Sequence, residues 1–266
     1  MDIPSFVIEK SSWVLHKIPD HPVQLIKHRI YDYFDSIGNF EFFDDFSPMT
    51  TTVDNFDRLF FPNCHTDRMK AYHISNELIL RTHMTTHQNK LLSMGIRKFL
   101  VTGDVYRNEP QNWCHYPIFH QMDGLFVVPN NINVEKDLLS VLRGLISYLY
   151  PKIEYRINPA YFPHTDPSFD FELKYNGKWI EILGCGIVHS EILRRNAVPG
   201  IAWAFGLGLD RMAMVAYNIP NISHLWIRNG SDFPVVTYIN SDNRFKSGII
   251  KKYNDRRIYL SHHRRK

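Results

Sequence analysis

The sequence has few cysteines and no long apolar run, and both shortages limit the classes of protein it can encode. Its three cysteines, Cys64, Cys114 and Cys185, show neither even pairing nor the spacing of a metal site. Such cysteine usage is typical of a reducing compartment. The most apolar stretch, residues 162–182, is interrupted by charges. We therefore expect no membrane-spanning segment.

From its composition, we also expect no targeting signal at the N-terminus. Residues 1–13, MDIPSFVIEKSSW, carry two acids and one lysine. They contain no apolar secretory core, and their composition is not the Arg- and Ser-rich, acid-poor one of an organelle import signal. On this basis we expect a cytoplasmic protein. The chain also shows no internal repeat and no low-complexity segment.

Composition and charge fit a soluble enzyme. The chain has 266 residues, of which 44% are hydrophobic and 22% are charged, which is enough for one large domain with a full core. The net charge of +4 only mildly favours a polyanionic partner. Basic residues are concentrated in residues 251–266. This segment either contacts RNA phosphates or is a solvated tail, and both interpretations stay open.

Residues 103–124, GDVYRNEPQNWCHYPIFHQMDG, carry the most informative pattern: two strands with alternating apolar residues around a polar loop. Arg107 ends the first strand, and its planar fork of donors matches a phosphate. A period of two places three residues on one face of the second strand, namely Phe119, Gln121 and Asp123. An aromatic ring, an amide and a carboxylate beside a fixed cation suit a ligand with a flat base, a phosphate and an ammonium group.

A second pattern lies in residues 200–232. A strand over residues 202–207 runs through Gly206 and Gly208 into an apolar helix over residues 209–217, with Arg211 in its first turn. Glycines let the backbone come close to a bound nucleotide, and a helix N-terminus adds positive potential there. This pattern indicates a second contact with phosphate.

Periodicity predicts the remaining elements. We expect helices over residues 21–34, 87–94 and 134–149, and strands over residues 78–83, 98–106, 118–128, 154–159, 169–175 and 179–183. Asn176-Gly177 predicts a two-residue hairpin turn between the last two strands.

The two patterns closely resemble the second and third signature motifs of class II aminoacyl-tRNA synthetases, in the version used by phenylalanyl-tRNA synthetases. Ser47-Pro48 with Asn55-Phe56-Asp57 resembles the first motif, and the likeness to the single-chain organellar form extends from about residue 20 to residue 232. The resemblance implies an α+β fold, with an antiparallel sheet flanked by helices. It also implies three parts: an N-terminal extension (1–20), a catalytic domain (21–232) and a short basic tail (233–266).

The resemblance further implies ATP and Mg²⁺ as cofactors and assigns residues to each end of the site. The catalytic residues would be Arg107, Arg211 and His115. ATP would contact Arg107, Glu109, His115, Phe119, Glu181, Gly208 and Arg211. The amino acid would contact His83, Thr85, Gln121, Asp123, Phe162, His164, Gly184, Gly186 and Ala204. The metal ligand would be Glu181, for which a half-buried acid on an edge strand is an equally good interpretation.

The departures from the family concern the amino-acid end. Phe162-Pro163-His164 stands where the family usually has Phe-Pro-Phe, Asp123 where it commonly has glutamate, and Thr85 where it has serine. An imidazole in an apolar pocket needs a hydrogen-bond partner, because an unpaired buried polar group costs about 1–3 kcal/mol. Altered amino-acid specificity and neutral drift both explain these changes, and we slightly favour the first.

The segment after Asp232 has 34 residues, too short for the anticodon-binding domain of the organellar form, which needs at least about 50. Our first hypothesis is therefore an ATP-dependent enzyme that activates phenylalanine or a related amino acid, with a tRNA acceptor end or a carrier protein as acceptor. The second is a genuine phenylalanine–tRNA ligase, minimal or completed by a partner. The third is a silent paralogue that binds RNA or protein. A homodimer is compatible with all three.

Overall fold

The computed structural model describes residues 3–62, 66–129 and 131–227. The basic tail expected over residues 233–266 lies outside the described residues. The helices are α1 (Ser5–Ser11), α2 (Pro22–Ile37), α3 (Thr52–Asn55), α4 (Thr66–Met69), α5 (Gln88–Ser93), α6 (Val134–Leu149), α7 (Ser190–Arg195) and α8 (Leu209–Ala216). Short 3₁₀ turns cover Leu15–Lys17, Asp57–Leu59, Met84–His87 and Ile222–Trp226.

Seven strands form one mostly antiparallel sheet, which confirms the expected fold class. All nine strands of the described residues, including two outside this sheet, are β1 (Glu41–Phe43), β2 (Met49–Thr51), β3 (Leu78–Leu80), β4 (Lys98–Tyr106), β5 (Ile118–Val128), β6 (Tyr155–Phe162), β7 (Thr165–Tyr175), β8 (Lys178–Val188) and β9 (Ile201–Gly208). The order in the large sheet is β1-β4-β5-β9-β8-β7-β6, and only β1 pairs in parallel, with β4. Strands β2 and β3 form a separate pair.

Local sequence explains where the long elements begin and turn. Pro22 starts α2 and Gly38 ends it, the usual positions of these residues at helix ends. The side chain of Asn133 accepts from the backbone N–H of Lys136 at 3.0 Å and so caps α6. Asn176-Gly177 joins β7 to β8 with positive φ at both residues, as a tight hairpin turn requires.

The sheet separates two sets of side chains. On one side, α2, α6 and α8 pack together and against the central strands, with His120 and Met122 of β5 fully buried. On the other side, alternate residues of β5 face a cavity. Among the described residues, no helix is both long and apolar enough to cross a membrane.

Candidate active site

One large cavity, of about 440 Å³, lies over β5, β8 and β9. Fifteen of the sixteen residues that the sequence assigns to the site line it: His83, Thr85, Arg107, Glu109, His115, Phe119, Gln121, Asp123, Phe162, His164, Glu181, Gly184, Ala204, Gly208 and Arg211. These residues come from four strands, from helix α8 and from three connecting segments. The fold therefore brings both expected halves of the site into one space.

Gly186 is the exception, because it does not line the cavity. A Cβ added there would lie 2.5 Å from the carbonyl oxygen of Pro167 and 2.7 Å from Cβ of Thr165. Close packing of β8 on β7 accounts for this glycine, so the structure does not support its expected contact with an amino acid.

Asp123 and Gln121 present unpaired acceptors at one end of the cavity. Thr85 Oγ1 donates to Asp123 Oδ2 at 2.5 Å, whereas Asp123 Oδ1 and Gln121 Oε1 are buried with no hydrogen-bond partner among the described residues. Burial raises the pKa of Asp123 to about 7, although the Thr85 hydrogen bond and the charge of Arg107 oppose the shift. Two buried acceptors side by side suit a ligand that brings several donors.

A stack of three rings borders the same end. The Phe61 ring lies between His83, at a centroid distance of 5.2 Å, and His164, at 5.8 Å, and both pairs are nearly parallel. Phe162 is tilted against His164 at 6.2 Å. Periodicity did not indicate Phe61, because this residue lies in an irregular aromatic segment without a regular repeat. The stack provides a flat apolar wall for a side chain, with imidazole groups on either side of the phenyl ring.

Arg107 and Phe119 lie at the other end. The Arg107 guanidinium lies 5.3 Å from the centre of the Phe119 ring, and its Nε donates to the Thr82 carbonyl at 2.9 Å. One hydrogen bond and one ring contact thus fix the direction of the guanidinium. A base that stacks on Phe119 would therefore use the other face of the ring.

Arg211 and His115 are in direct contact, which changes the expected role of the histidine. Arg211 donates to His115 Nε2 at 2.9 Å, to the Cys114 carbonyl at 3.2 Å and to the Glu181 carbonyl at 3.0 Å. Because Nε2 accepts, the proton of the neutral ring is on Nδ1, which lies 3.0 Å from Asn112 Oδ1. Burial and the charge of Arg211 lower the pKa of His115. His115 therefore donates to Asn112 here, and it reaches a phosphate only after Arg211 moves.

Glu109 is already paired. Its Oε1 accepts from Lys70 Nζ at 2.8 Å. Burial raises the pKa of Glu109, but the hydrogen bond from Lys70 and the charges of Arg107 and Lys70 outweigh this effect, so its pKa lies below the usual value. Glu109 is an ionised acceptor, as a contact with an exocyclic amine requires, and Lys70 adds a cation that sequence reasoning missed.

Glu181 is the residue expected to bind a metal ion. Its side chain opens into the cavity, and burial raises its pKa, with the carboxylates of Asp170 and Glu172 adding to the shift and Arg211 opposing it. Among the described residues, no group of three or more His, Cys, Asp or Glu side chains is arranged to hold a metal. A cation here would need further ligands, which the phosphates of a nucleotide supply in many Mg²⁺ sites.

The N-terminus of α8 points the positive end of the helix at the half of the cavity where we expect the nucleotide. Gly208 is its N-cap, and no side chain caps the first turn, so backbone N–H groups are left for a ligand. A Cβ on Gly208 would meet nothing nearer than the Ile182 carbonyl oxygen, at 4.0 Å. The glycine is therefore not required by the ligand-free packing.

We expect the Gly208→Ala variant to fold with an unchanged melting temperature but to bind ATP at least tenfold more weakly. Its φ of −87° suits alanine, and the added methyl would keep phosphate from the backbone, where a hydrogen bond to a charged group contributes about 1.5–3 kcal/mol. Calorimetric titration with ATP measures the effect. The control is amino-acid affinity of the same variant, which should stay within twofold, and normal ATP affinity would contradict this placement of the phosphates.

A mostly antiparallel sheet with an arginine at the end of one strand, and with an aromatic ring and acceptors along the neighbouring strand, is the architecture of a class II aminoacyl-tRNA synthetase core. A solved pyrrolysyl-tRNA synthetase from Desulfitobacterium hafniense has the same fold, with a TM-score of 0.65 over 89% of this chain and 82% of that chain, at 13% identity. The chain belongs to the family described as tRNA synthetases class II core domain (F), which matches residues 9–233.

Curated relatives narrow the type within the class. The chain is 40% identical over 240 residues to the chloroplastic/mitochondrial phenylalanine–tRNA ligase of Arabidopsis thaliana, a match that covers 85% of this chain and 56% of that protein. It is 38% identical over 262 residues to the mitochondrial phenylalanine–tRNA ligase of Dictyostelium discoideum, covering 85% of this chain and 58% of that protein. The chain thus spans little more than half the length of these relatives.

The expectation of a cytoplasmic protein is wrong. It depended on the composition of the first thirteen residues, whereas the relatives are named as mitochondrial or chloroplastic enzymes. An import signal is a terminal targeting sequence that is separate from the folded catalytic domain. The composition of one short segment therefore cannot stand for the location of the enzyme.

Proposed function

We propose that the chain is the catalytic domain of a phenylalanine–tRNA ligase that forms phenylalanyl-adenylate from ATP. The observation that best supports this proposal is that the two ends of one cavity carry groups of opposite character. Unpaired acceptors on Asp123 and Gln121 occupy one end, and the guanidinium groups of Arg107 and Arg211 occupy the other. An amino acid has an ammonium group for the first end, and ATP has phosphates for the second.

The reaction joins two anions, which is why the cations matter. A carboxylate oxygen of the amino acid attacks the α-phosphorus, the bond to the β-phosphate oxygen breaks, and pyrophosphate leaves. Arg107, held by Thr82 and Phe119, would face the charge that develops on the α-phosphate. Arg211, at the start of α8, would hold the outer phosphates. Each end positions one reactant, so the two meet with little further loss of freedom.

Mg²⁺ would bind the phosphates with Glu181 as its protein ligand, and when bound it neutralises phosphate charge. Glu181 fits this role because its carboxyl group lines the cavity and because burial and the charges of Asp170 and Glu172 raise its pKa, a shift that a bound cation would reverse.

The relatives favour tRNA as the acceptor over a carrier protein, so they support our second hypothesis over our first. Both are named as tRNA ligases. Because the chain spans little more than half of each, the short segment after Asp232 carries no argument against tRNA. Their names also support a mitochondrial or plastid enzyme.

Two assays test the proposal. Phenylalanine-dependent ATP–pyrophosphate exchange, compared with the other standard amino acids, tests activation. Transfer of labelled phenylalanine to organellar tRNA, compared with carrier proteins, tests the acceptor. If none of the amino acids supports exchange although ATP binds measurably, the chain is not an activating enzyme. Exchange without transfer to any tRNA would restore the first hypothesis.

We expect His164 to influence the choice between phenylalanine and its hydroxylated analogues. It borders the Phe61 ring, where imidazole offers a hydrogen-bonding group that phenyl lacks. Sites that hydrogen-bond a substrate group discriminate more strongly than apolar ones. His164→Phe should therefore shift the kcat/KM ratio of phenylalanine to tyrosine at least tenfold towards phenylalanine. Phe162→Leu, which changes a neighbouring ring without a polar group, is the control. A ratio within twofold of wild type would make His164 a bystander.

A further inference from the structure

A buried contact behind β5 joins the two catalytic elements. Asp210, in the first turn of α8, is 1% exposed, and His120, in the middle of the β5 pattern, is 0% exposed. Asp210 Oδ2 accepts from the backbone N–H of His120 at 2.6 Å and lies 3.1 Å from His120 Nδ1. One carboxylate oxygen thus holds both the main chain and the side chain of the same residue.

The contact continues the sheet where β9 stops. The last residue pair between β5 and β9 is Gln121 with Gly208. The next residue of β5, His120, would face Leu209, which already belongs to α8. The Asp210 carboxylate takes the place of the missing strand partner and accepts the His120 N–H. Helix α8 therefore starts directly at the end of a central strand without leaving that buried donor unpaired.

The neighbours of the two residues face the cavity. His120 lies between Phe119 and Gln121, which alternate to the opposite face of the strand. Asp210 directly precedes Arg211, whose guanidinium reaches His115 and two carbonyl groups. The distance between the Phe119 ring and the Arg211 guanidinium thus depends on the contact between Asp210 and His120 behind them.

The contact between Asp210 and His120 does not have the features of an interaction that mainly stabilises the fold. A buried carboxylate is costly to desolvate, and well-packed apolar residues are often as stable as a buried ion pair. Here Asp210 Oδ1 and His120 Nε2 are also buried without a hydrogen-bond partner among the described residues. Such incomplete pairing is better explained by a geometric requirement than by a gain in stability.

We propose that Asp210 is a positioning residue that, through His120, sets Arg211 relative to Phe119 for the binding of ATP. This proposal deepens the function proposed above and rests on it. Asp210 is 1% exposed and its Oδ2 is hydrogen-bonded to His120, so it would act through its neighbours and not on a reactant. Its loss should therefore affect the nucleotide end of the site, while the amino-acid end, built on Asp123, Thr85 and Gln121, keeps its affinity.

The first test is the order of effects among three variants in pyrophosphate exchange. Asp210→Ala removes both bonds and should lower kcat/KM for ATP about 10²-fold, the scale of a misplacement of about 1 Å, with KM for phenylalanine within threefold. His120→Ala keeps the shorter, backbone bond and should have a smaller effect. Tyr150→Phe, which deletes a 2.8 Å bond to the Met212 carbonyl of the same helix, should lower only the melting temperature.

A merely structural role predicts the reverse order. His120→Ala removes the larger fully buried side chain and should destabilise the fold more than Asp210→Ala. If the losses in kcat/KM for ATP follow the losses in melting temperature across all three variants, or if both reactants are affected equally, the positioning role is wrong.

The Asp210→Asn variant serves as a second test if Asp210→Ala fails to fold, because the asparagine amide oxygen can still accept a hydrogen bond from His120. It should keep at least a fifth of wild-type kcat/KM and keep the His120 amide protected in hydrogen exchange, whereas Asp210→Ala should lose that protection. The affinity for a non-hydrolysable ATP analogue is read in the same variants. No exchange by wild type would overturn the proposed function alone, and unchanged analogue affinity in Asp210→Ala would overturn the positioning role.

Discussion

Arg107→Ala should reduce the rate of phenylalanine-dependent pyrophosphate exchange by about 10²–10³, the usual scale for the loss of one preorganised charge stabiliser. The guanidinium is held by the Thr82 carbonyl and the Phe119 ring before any ligand binds. It therefore needs no rearrangement to meet charge on the α-phosphate. Arg107→Lys keeps the charge but loses the planar fork, so it should recover only part of the rate.

The control for this prediction is Arg58→Ala. Arg58 is an exposed arginine that pairs with Asp54 at 2.8 Å and does not line the cavity. The variant loses the same charge elsewhere and should exchange at the wild-type rate. A loss below fivefold in Arg107→Ala would mean that the α-phosphate binds away from this residue.

The second large effect concerns Asp123 and the pH dependence of the free energy of unfolding. Its pKa of about 7 lies above the ordinary value of 3.8, so the folded protein binds this proton more tightly than the unfolded chain does. The free energy of unfolding therefore falls as pH rises from about 4 to about 7, and this contribution is constant at higher pH. Asp123→Asn has no such titration. Its free energy of unfolding relative to wild type should increase by about 4 kcal/mol between pH 4 and pH 8.

The same substitution should impair binding. An ammonium group beside Asp123 would favour the charged carboxylate, so binding of phenylalanine at pH 6.5 should release a proton. Calorimetry in two buffers of different ionisation enthalpy measures this release. Asp123→Asn should abolish it and weaken phenylalanine binding at pH 8 at least 30-fold, since losing a buried charge pair costs about 2 kcal/mol or more.

Thr85→Val is the matched control, because it leaves the carboxylate in place. The Thr85 hydrogen bond lowers the pKa of Asp123. Its removal should therefore move the proton release to higher pH without abolishing it. If neither variant alters proton release, the ammonium group does not bind at Asp123.

The long elements were predictable because each obeys a local rule. Strands β4 and β5 and helix α6 have the bounds expected from periodicity, and the turn at Asn176-Gly177 depends on two residues that tolerate positive φ. The expected strands in the second half were too short. Strand β8 extends from Lys178 to Val188 because paired neighbours on both sides continue past the apolar core of the segment.

The rest depended on contacts between distant residues, which periodicity does not encode. Helices α1 and α7 have seven and six residues, too short for a clear period. Phe61 reaches the cavity only because His83 and His164 lie on either side of it. Likewise, the contacts of His115 with Arg211 and of Glu109 with Lys70 join side chains from separate segments. Cavity residues were predictable, but their hydrogen-bond partners were not.

Phe119, Gln121 and Asp123 share one strand, and this has a consequence for how such a domain can change its substrate. At about 3.4 Å per residue, four residues separate Phe119, where we expect the nucleotide ring, from Asp123, where we expect the ammonium group, by about 14 Å. A continuous ladder with β4, joined from Gln121 onward by β9, keeps this length constant. The wall that would face the substrate side chain instead comes from Phe61 and His164, outside that strand. Substitutions in the wall can therefore admit a different amino acid while the reacting carboxylate keeps its distance from the phosphate.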